Sequence, residues 1–168
     1  FGWRNDSPSK PMRTTTDEFL SFAANHEDRP FFGYLCYMDA NRAFYDQQLS
    51  HPAWTGRPAM RDGVAAYERE ISRLDAELER LFAALERRGR LTNTILVVAS
   101  DHGESFGEAD GDHDPKGHGT SLYPEQVRVP LMMLAPGRLP AGVRVNHAVV
   151  LTVVAGFVAR LAGADDPP

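Results

Sequence analysis

Cysteine is almost missing from this chain: Cys36 stands alone among 168 residues, so no disulfide can form within it. Cys36 lies inside the apolar pattern Phe31 to Tyr37 and reads as a buried thiol, because a catalytic cysteine needs a base and exposure that this context does not supply. Long apolar runs are missing too. The longest stretch, Ala148 to Ala159, is too short to cross a bilayer and is interrupted by Thr152 and Gly156, so it reads as core and predicts no transmembrane segment. No basic stripe is present: 18 Lys and Arg stand against 23 Asp and Glu with the signs mixed, a net charge of -5 that excludes a footprint for nucleic acid. Repeats and low-complexity tracts are absent. The beginning has no secretory leader pattern, and Phe1-Gly2-Trp3 reads as the edge of a polypeptide truncated upstream. What remains, with 42% hydrophobic residues, suffices for a buried core as one domain.

The pattern along the chain alternates helices and strands. Thr16 or Asp17 caps a helix running to about Asn25, and Phe31 to Met38 follows as an aromatic-rich strand. A polar loop with Pro52, Gly56 and Pro58 intervenes. From Val64 to Arg88 there is neither Gly nor Pro, and Val64, Tyr67, Ile71, Leu74, Leu78, Leu81 and Leu85 recur at intervals of three and four, which predicts an amphipathic helix. Its charges, among them Glu68, Glu70, Arg73, Glu77, Glu79, Arg80, Glu86 and Arg87, read as the solvated face, with no chemistry assigned. Gly89 ends this helix and Asn93 begins the turn into the next strand. Thr120 to Val127 predicts a short helix, Val129 to Leu134 a buried strand, Val143 to Val150 an edge strand and Leu151 to Leu161 a closing helix.

The most informative stretch begins where the short apolar run Ile95 to Ala99 ends. That run reads as a buried parallel strand, and Ser100-Asp101-His102-Gly103-Glu104 follows it directly. Side chains alternate faces along a strand, so neighbouring Asp101 and His102 can converge on one ion only where the strand has stopped, and Gly103 supplies that break. In open α/β sheets ligands bind beyond the carboxyl ends of the strands, which is where this pair lies. A carboxylate beside an imidazole suits a divalent cation. Taken alone, such a pair would read as a turn cap and a hydrogen-bonded loop histidine; the surroundings argue otherwise. The loop from Gly103 to Gly119 is polar and glycine-rich, a poor segment for building core. Lys116 offers positive charge to an anionic oxygen, and His118, between Gly117 and Gly119, can approach a ligand closely and titrates near neutrality. His113 reads equally as a substrate contact or as an exposed loop histidine without a role, and is left out of the main assignment.

Asn93-Thr94-Ile95-Leu96-Val97-Val98-Ala99-Ser100-Asp101-His102-Gly103-Glu104, then Gly117-His118-Gly119-Thr120-Ser121-Leu122-Tyr123 and Arg128-Val129-Pro130-Leu131, resemble the C-terminal half of a sulfatase catalytic domain, a family of the alkaline phosphatase superfamily. The resemblance extends upstream through Pro30-Phe31-Phe32-Gly33-Tyr34-Leu35 and weakly downstream to Gly163. It implies an α/β fold, a mixed, mostly parallel sheet with helices on both faces, of which residues 1–168 form the C-terminal part of a single, incomplete domain. It further implies a sulfuric ester hydrolase that works by metal-dependent in-line attack on a sulfate ester, with the fragment alone inactive. The residues matching Asp101 and His102 bind the metal, Ca²⁺ first in rank with Mn²⁺ or Zn²⁺ as alternatives. Those matching Lys116 and His118 hold the ester oxygens or protonate the leaving group. The substrate is thus a sulfate or phosphate ester, and the resemblance favours an extracytoplasmic location, in the periplasm or at the cell surface.

Departures from the family pattern are informative. Met38-Asp39-Ala40-Asn41 stands where many relatives have Asp-Pro-His, so Asn41 replaces a substrate-facing histidine; it can hydrogen-bond but cannot deliver a proton at neutral pH. Ser9-Lys10-Pro11-Met12-Arg13 fits the family's nucleophile pattern literally, yet Thr14-Thr15-Thr16-Asp17 follows it instead of Leu-Thr-Gly, and it lies too close to the Phe31 strand. It is rejected, and the nucleophile is expected upstream. Two other readings stay open: a phosphoethanolamine or phosphoglycerol transferase of the same superfamily, and a non-enzymatic relative serving as a lipid-binding or regulatory module.

Overall fold

The computed structural model describes residues 2–5, 10–41, 60–107, 117–119 and 121–164. The chain forms two compact units, Phe1–Leu85 and Glu86–Pro168. Each carries its own pair of strands among the described residues.

In the first unit, β1 (Gly2–Asn5), α1 (Met12–Ala24) and β2 (Phe32–Leu35) form a parallel β-α-β crossover, with Gly2 opposite Phe32 and Asn5 opposite Leu35. The helix α1 buries Met12, Thr15, Thr16, Phe19 and Ala23, a stripe at helical spacing. Phe19 seats against the strand because Gly33 has no side chain: a Cβ there would come within 2.5 Å of the Phe19 ring. Phe31 adds edge-on contacts to Phe19 and Phe22, with ring centroids 5.9 and 5.4 Å apart. The helix starts at Met12 rather than at Thr16 or Asp17. Pro11 precedes its first turn, where a missing N–H is not needed, and the buried Thr16 hydroxyl instead donates to Met12 O at 3.1 Å. Strand β2 is shorter than the apolar run that announced it, and residues 39–41 are already helical. Cys36 is half-buried, with Sγ 3.5 Å from Met38 Sδ.

The long helix α2 (Met60–Arg87) matches its periodicity in extent but differs on one residue of its polar face. Leu81 and Leu85 are buried as expected, whereas Ile71 is exposed. Glu77, expected in solvent, is buried. It is held by Arg80, whose Nη2 and Nε lie 2.5 and 3.0 Å from Glu77 Oε1, and Arg80 Nη1 reaches Asp17 of α1 at 2.8 Å. Burial pushes the Glu77 carboxyl up, but hydrogen bonds from Arg80 and Thr16 and the charges of Arg80 and Arg13 outweigh it and leave it below the usual carboxylate range. Thr16 also meets the Tyr37 hydroxyl at 2.9 Å, and burial pushes that phenol up.

In the second unit, a 3-10 turn (Leu91–Asn93) leads into β3 (Leu96–Ala99); α3 (Pro124–Val127), β4 (Leu131–Leu134), a second 3-10 turn (Leu151–Val153) and α4 (Val154–Leu161) follow. Strand β3 pairs antiparallel with β4, Leu96 opposite Leu134 and Ala99 opposite Leu131. The expected single, mostly parallel sheet is not seen among the described residues: they hold one parallel pair and one antiparallel pair in separate sheets, and β3 has no parallel neighbour. An apolar run reports burial and is silent about the direction of its partner. Residues 143–150 are exposed and form no strand: no strand among the described residues lies beside them to take their backbone hydrogen bonds.

Candidate metal and acid-base site

Strand β3 stops at Ala99, and the chain turns at once. Ser100 Oγ donates to His102 O at 2.6 Å, His102 N donates to Asp101 Oδ1 at 3.1 Å, and the Asp101 side chain is 91% exposed. These local bonds hold the two donor side chains together, with Asp101 Oδ1 3.8 Å from His102 Nε2. His102 Nδ1 lies 2.8 Å from Gly103 O. A carbonyl only accepts, so the neutral imidazole carries its proton on Nδ1 and its lone pair on Nε2, on the side of Asp101. An exposed carboxylate and an imidazole held in its Nε2-ligating tautomer fit a divalent cation. Among the described residues no group of three or more His, Cys, Asp or Glu converges, so the pair is a partial coordination sphere.

Gly103 is needed for more than ending a strand. Its N–H donates to Gln126 O at 2.7 Å, and a Cβ at this position would lie 2.0 Å from Glu125 O, so the turn is pressed against α3. Gln126 is buried and its Oε1 accepts from Ser121 N at 3.2 Å, which ties the segment beyond the glycine-rich loop to the same turn.

The two ends of that loop meet at a small antiparallel bridge: Ser105 N donates to Gly117 O at 3.0 Å and Gly117 N to Ser105 O at 2.9 Å. Gly117 has φ 101° and Gly119 φ 77°, so the backbone on either side of His118 adopts conformations suited to glycine. This delivers His118 onto His102, with the imidazoles stacked 3.8 Å apart at 22°. His118 Nδ1 lies 2.9 Å from Oε2 of Glu104, whose side chain is 5% exposed. The other Glu104 oxygen, Oε1, is buried with no hydrogen-bond partner among the described residues.

Of the residues singled out from sequence, Asp101, His102 and His118 are thus brought together. Asn41 lies in the first unit, half-buried in the helical turn after β2. Lys116, His113 and Ser9 lie outside the described residues. Glu104 carried no role in the sequence reading. Its only signal was a carboxylate two positions beyond His102 in a loop of low apolar content, and its partner stands 14 residues away.

The sulfatase family model matches residues 3–162. The chain is 28% identical over 163 residues to the steryl-sulfatase of Mus musculus, covering 92% of the chain and 25% of that relative. It is 35% identical over 86 residues to an arylsulfatase of Clostridium perfringens, covering 51% of the chain and 17% of the relative. Its fold resembles that of Ps i-CgsB, solved in complex with k-i-k-neocarrahexaose, with TM-score 0.66 and 25% identity over 92% of the chain and 34% of that structure. The chain therefore spans about a quarter of the length of the steryl-sulfatase it matches. No helix among the described residues is long and apolar enough to cross a membrane. A match over nearly its whole length, on segments that include the Asp101-His102 turn and His118, places this chain in the sulfatase family.

Proposed function

We propose that the second unit supplies metal ligands and the leaving-group acid of a sulfuric ester hydrolase whose sheet belongs to an alkaline phosphatase-like fold. The observation that carries this reading is the convergence of Asp101, His102 and His118 just past the end of β3. Asp101 and His102 hold a divalent cation, Ca²⁺ in the first instance, which when bound neutralises charge developing on the non-bridging oxygens of the ester. As the incoming nucleophile forms its bond to sulfur in line and the sulfur–ester oxygen bond breaks, His118 as the imidazolium gives its Nε2 proton to the departing oxygen. Lys116 clamps an anionic oxygen of the sulfate, and Asn41 hydrogen-bonds to substrate, leaving proton delivery to His118. The family match and the relatives named as sulfatases support sulfate esters as the substrate class. An extracytoplasmic location follows from the same resemblance, and fractionation of the source cells tests it.

The test of activity is hydrolysis of 4-nitrophenyl sulfate by the full-length gene product, alongside the corresponding phosphate ester. Sulfate turnover that falls at least about 100-fold in His102→Ala and in His118→Ala is the expected result. Turnover of the phosphate ester alone would move the reading to a phosphotransferase, and turnover of neither would leave a non-enzymatic relative.

A further inference from the structure

The geometry points to Glu104 as the positioning residue of His118: a buried carboxylate that fixes which imidazole nitrogen faces the site. The 2.9 Å contact sets a carboxyl oxygen, Glu104 Oε2, against His118 Nδ1, an acceptor placed to hold a proton on Nδ1. The two nitrogens lie on different edges of the ring. With Nδ1 held against a side chain that is 5% exposed, Nε2 is the nitrogen that the acid role uses: the imidazolium gives its Nε2 proton to the departing oxygen and keeps the proton on Nδ1, which leaves the neutral Nδ1–H form.

Three further observations say that this contact is built. Glu104 is buried although burying a carboxylate is costly, and its Oε1 has no hydrogen-bond partner among the described residues, so the contact to His118 is the side-chain bond they give it. The backbone on both sides is locked: Gly103 is pinned to Gln126 O, and the reciprocal Ser105–Gly117 bridge sets the separation of Glu104 from His118. The ring of His118 is held from its face as well, by His102 at 3.8 Å, so that Glu104 and His102 together restrict both tilt and rotation. A purely structural carboxylate has no need of a histidine partner placed against a metal-ligand histidine; an orienting one does.

This inference rests on the proposed role of His118 as leaving-group acid, but its central claim is a tautomer, and that can be read without turnover. In full-length protein labelled with 15N-histidine, long-range 1H–15N correlations are recorded, with His118 assigned by the loss of its signals in His118→Gln. Neutral His118 protonated on Nδ1 in the wild type is the expected result; protonation on Nε2 overturns the inference, with His118→Gln needed only for assignment and required to keep the other histidine signals in place. Glu104→Ala is expected to shift His118 toward the Nε2–H tautomer and to lower kcat about 10–100-fold with KM within about twofold, while Glu104→Gln, which keeps an acceptor oxygen, recovers much of both. Unchanged His118 signals and kcat in folded Glu104→Ala would overturn it equally. Should the wild type turn over no sulfate ester while His118 is held in the Nδ1–H form, the catalytic reading fails and the positioning by Glu104 stands.

Discussion

The Asp101-His102 turn is set by bonds spanning one or two residues, whereas His118 is set by Glu104 and by the ring of His102. Asp101, His102 and Ser100 are organised almost entirely by their own neighbours, which is why their grouping was legible in the order of letters. Gly103 was legible as a strand terminator but not as a contact residue, because the atom that would collide with its Cβ belongs to Glu125. That contact yields a sharp expectation. Gly103→Ala places a methyl 2.0 Å from a backbone oxygen that cannot swing aside, and the bond from Gly103 N to Gln126 O has to break or stretch. A loss of about 2–3 kcal/mol in unfolding free energy is expected, read by urea denaturation, together with weakened metal-dependent activity because His102 and Glu104 flank the displaced turn. A substitution that leaves the midpoint unchanged would show that the turn relaxes freely.

Among the elements, α1 and α2 are joined by a charge network that the helical pattern concealed. Period and composition assigned Glu77 to a solvated face, yet its register brings it under Arg80 and beside Thr16, where it is buried. Removing the partner in Arg80→Met leaves a buried carboxylate without its cation and is expected to cost about 1–3 kcal/mol, between the values for exposed and for buried pairs. The pH dependence follows from sign. The Glu77 carboxyl is held below its ordinary value of 4.5, so the native state binds this proton less readily than the unfolded chain. The stabilisation is present above that ordinary value and is lost as pH falls through the native-state value. In Arg80→Met the lowering influences of Arg80 disappear, and burial is opposed only by Thr16 and Arg13. The stability gap between wild type and Arg80→Met is therefore expected to be widest near neutrality and to narrow as pH falls through the lowered native-state value, measured by denaturation at each pH. A gap independent of pH would remove Glu77 from the explanation.

For the whole molecule, metal binding provides the simplest integrated readout. A ligand that binds the native state alone adds about 2.7 kcal/mol when present at 100 times its dissociation constant. Adding Ca²⁺ to chelator-treated full-length protein is expected to raise Tm, and Asp101→Asn or His102→Ala to abolish the rise; Mn²⁺ and Zn²⁺ measured in parallel rank the ions. An identical rise in His102→Ala would place the cation elsewhere. Val143, Val145, Val149 and Val150 are exposed at half or more of their surface, whereas Phe106 and Ala135 of the same unit are buried. The core of this unit thus gathers around the turn that carries the site and not under the valine-rich segment, contrary to the edge strand that the alternation suggested.

By itself the sequence determined the helical extent of α2, the strand that ends before Asp101-His102, the glycines around His118 and the family, since each is written in local order: a period, a terminator, a run of motifs with set spacing. Tertiary structure alone decided that β3 runs antiparallel to β4, that Glu77 is inside, and that Glu104 lies under His118. Those outcomes depend on which distant backbone or side chain arrives as a partner. A residue's letter records its own hydrophobicity and donors, and carries neither the direction of a neighbouring strand nor the position of an imidazole 14 residues further along the chain.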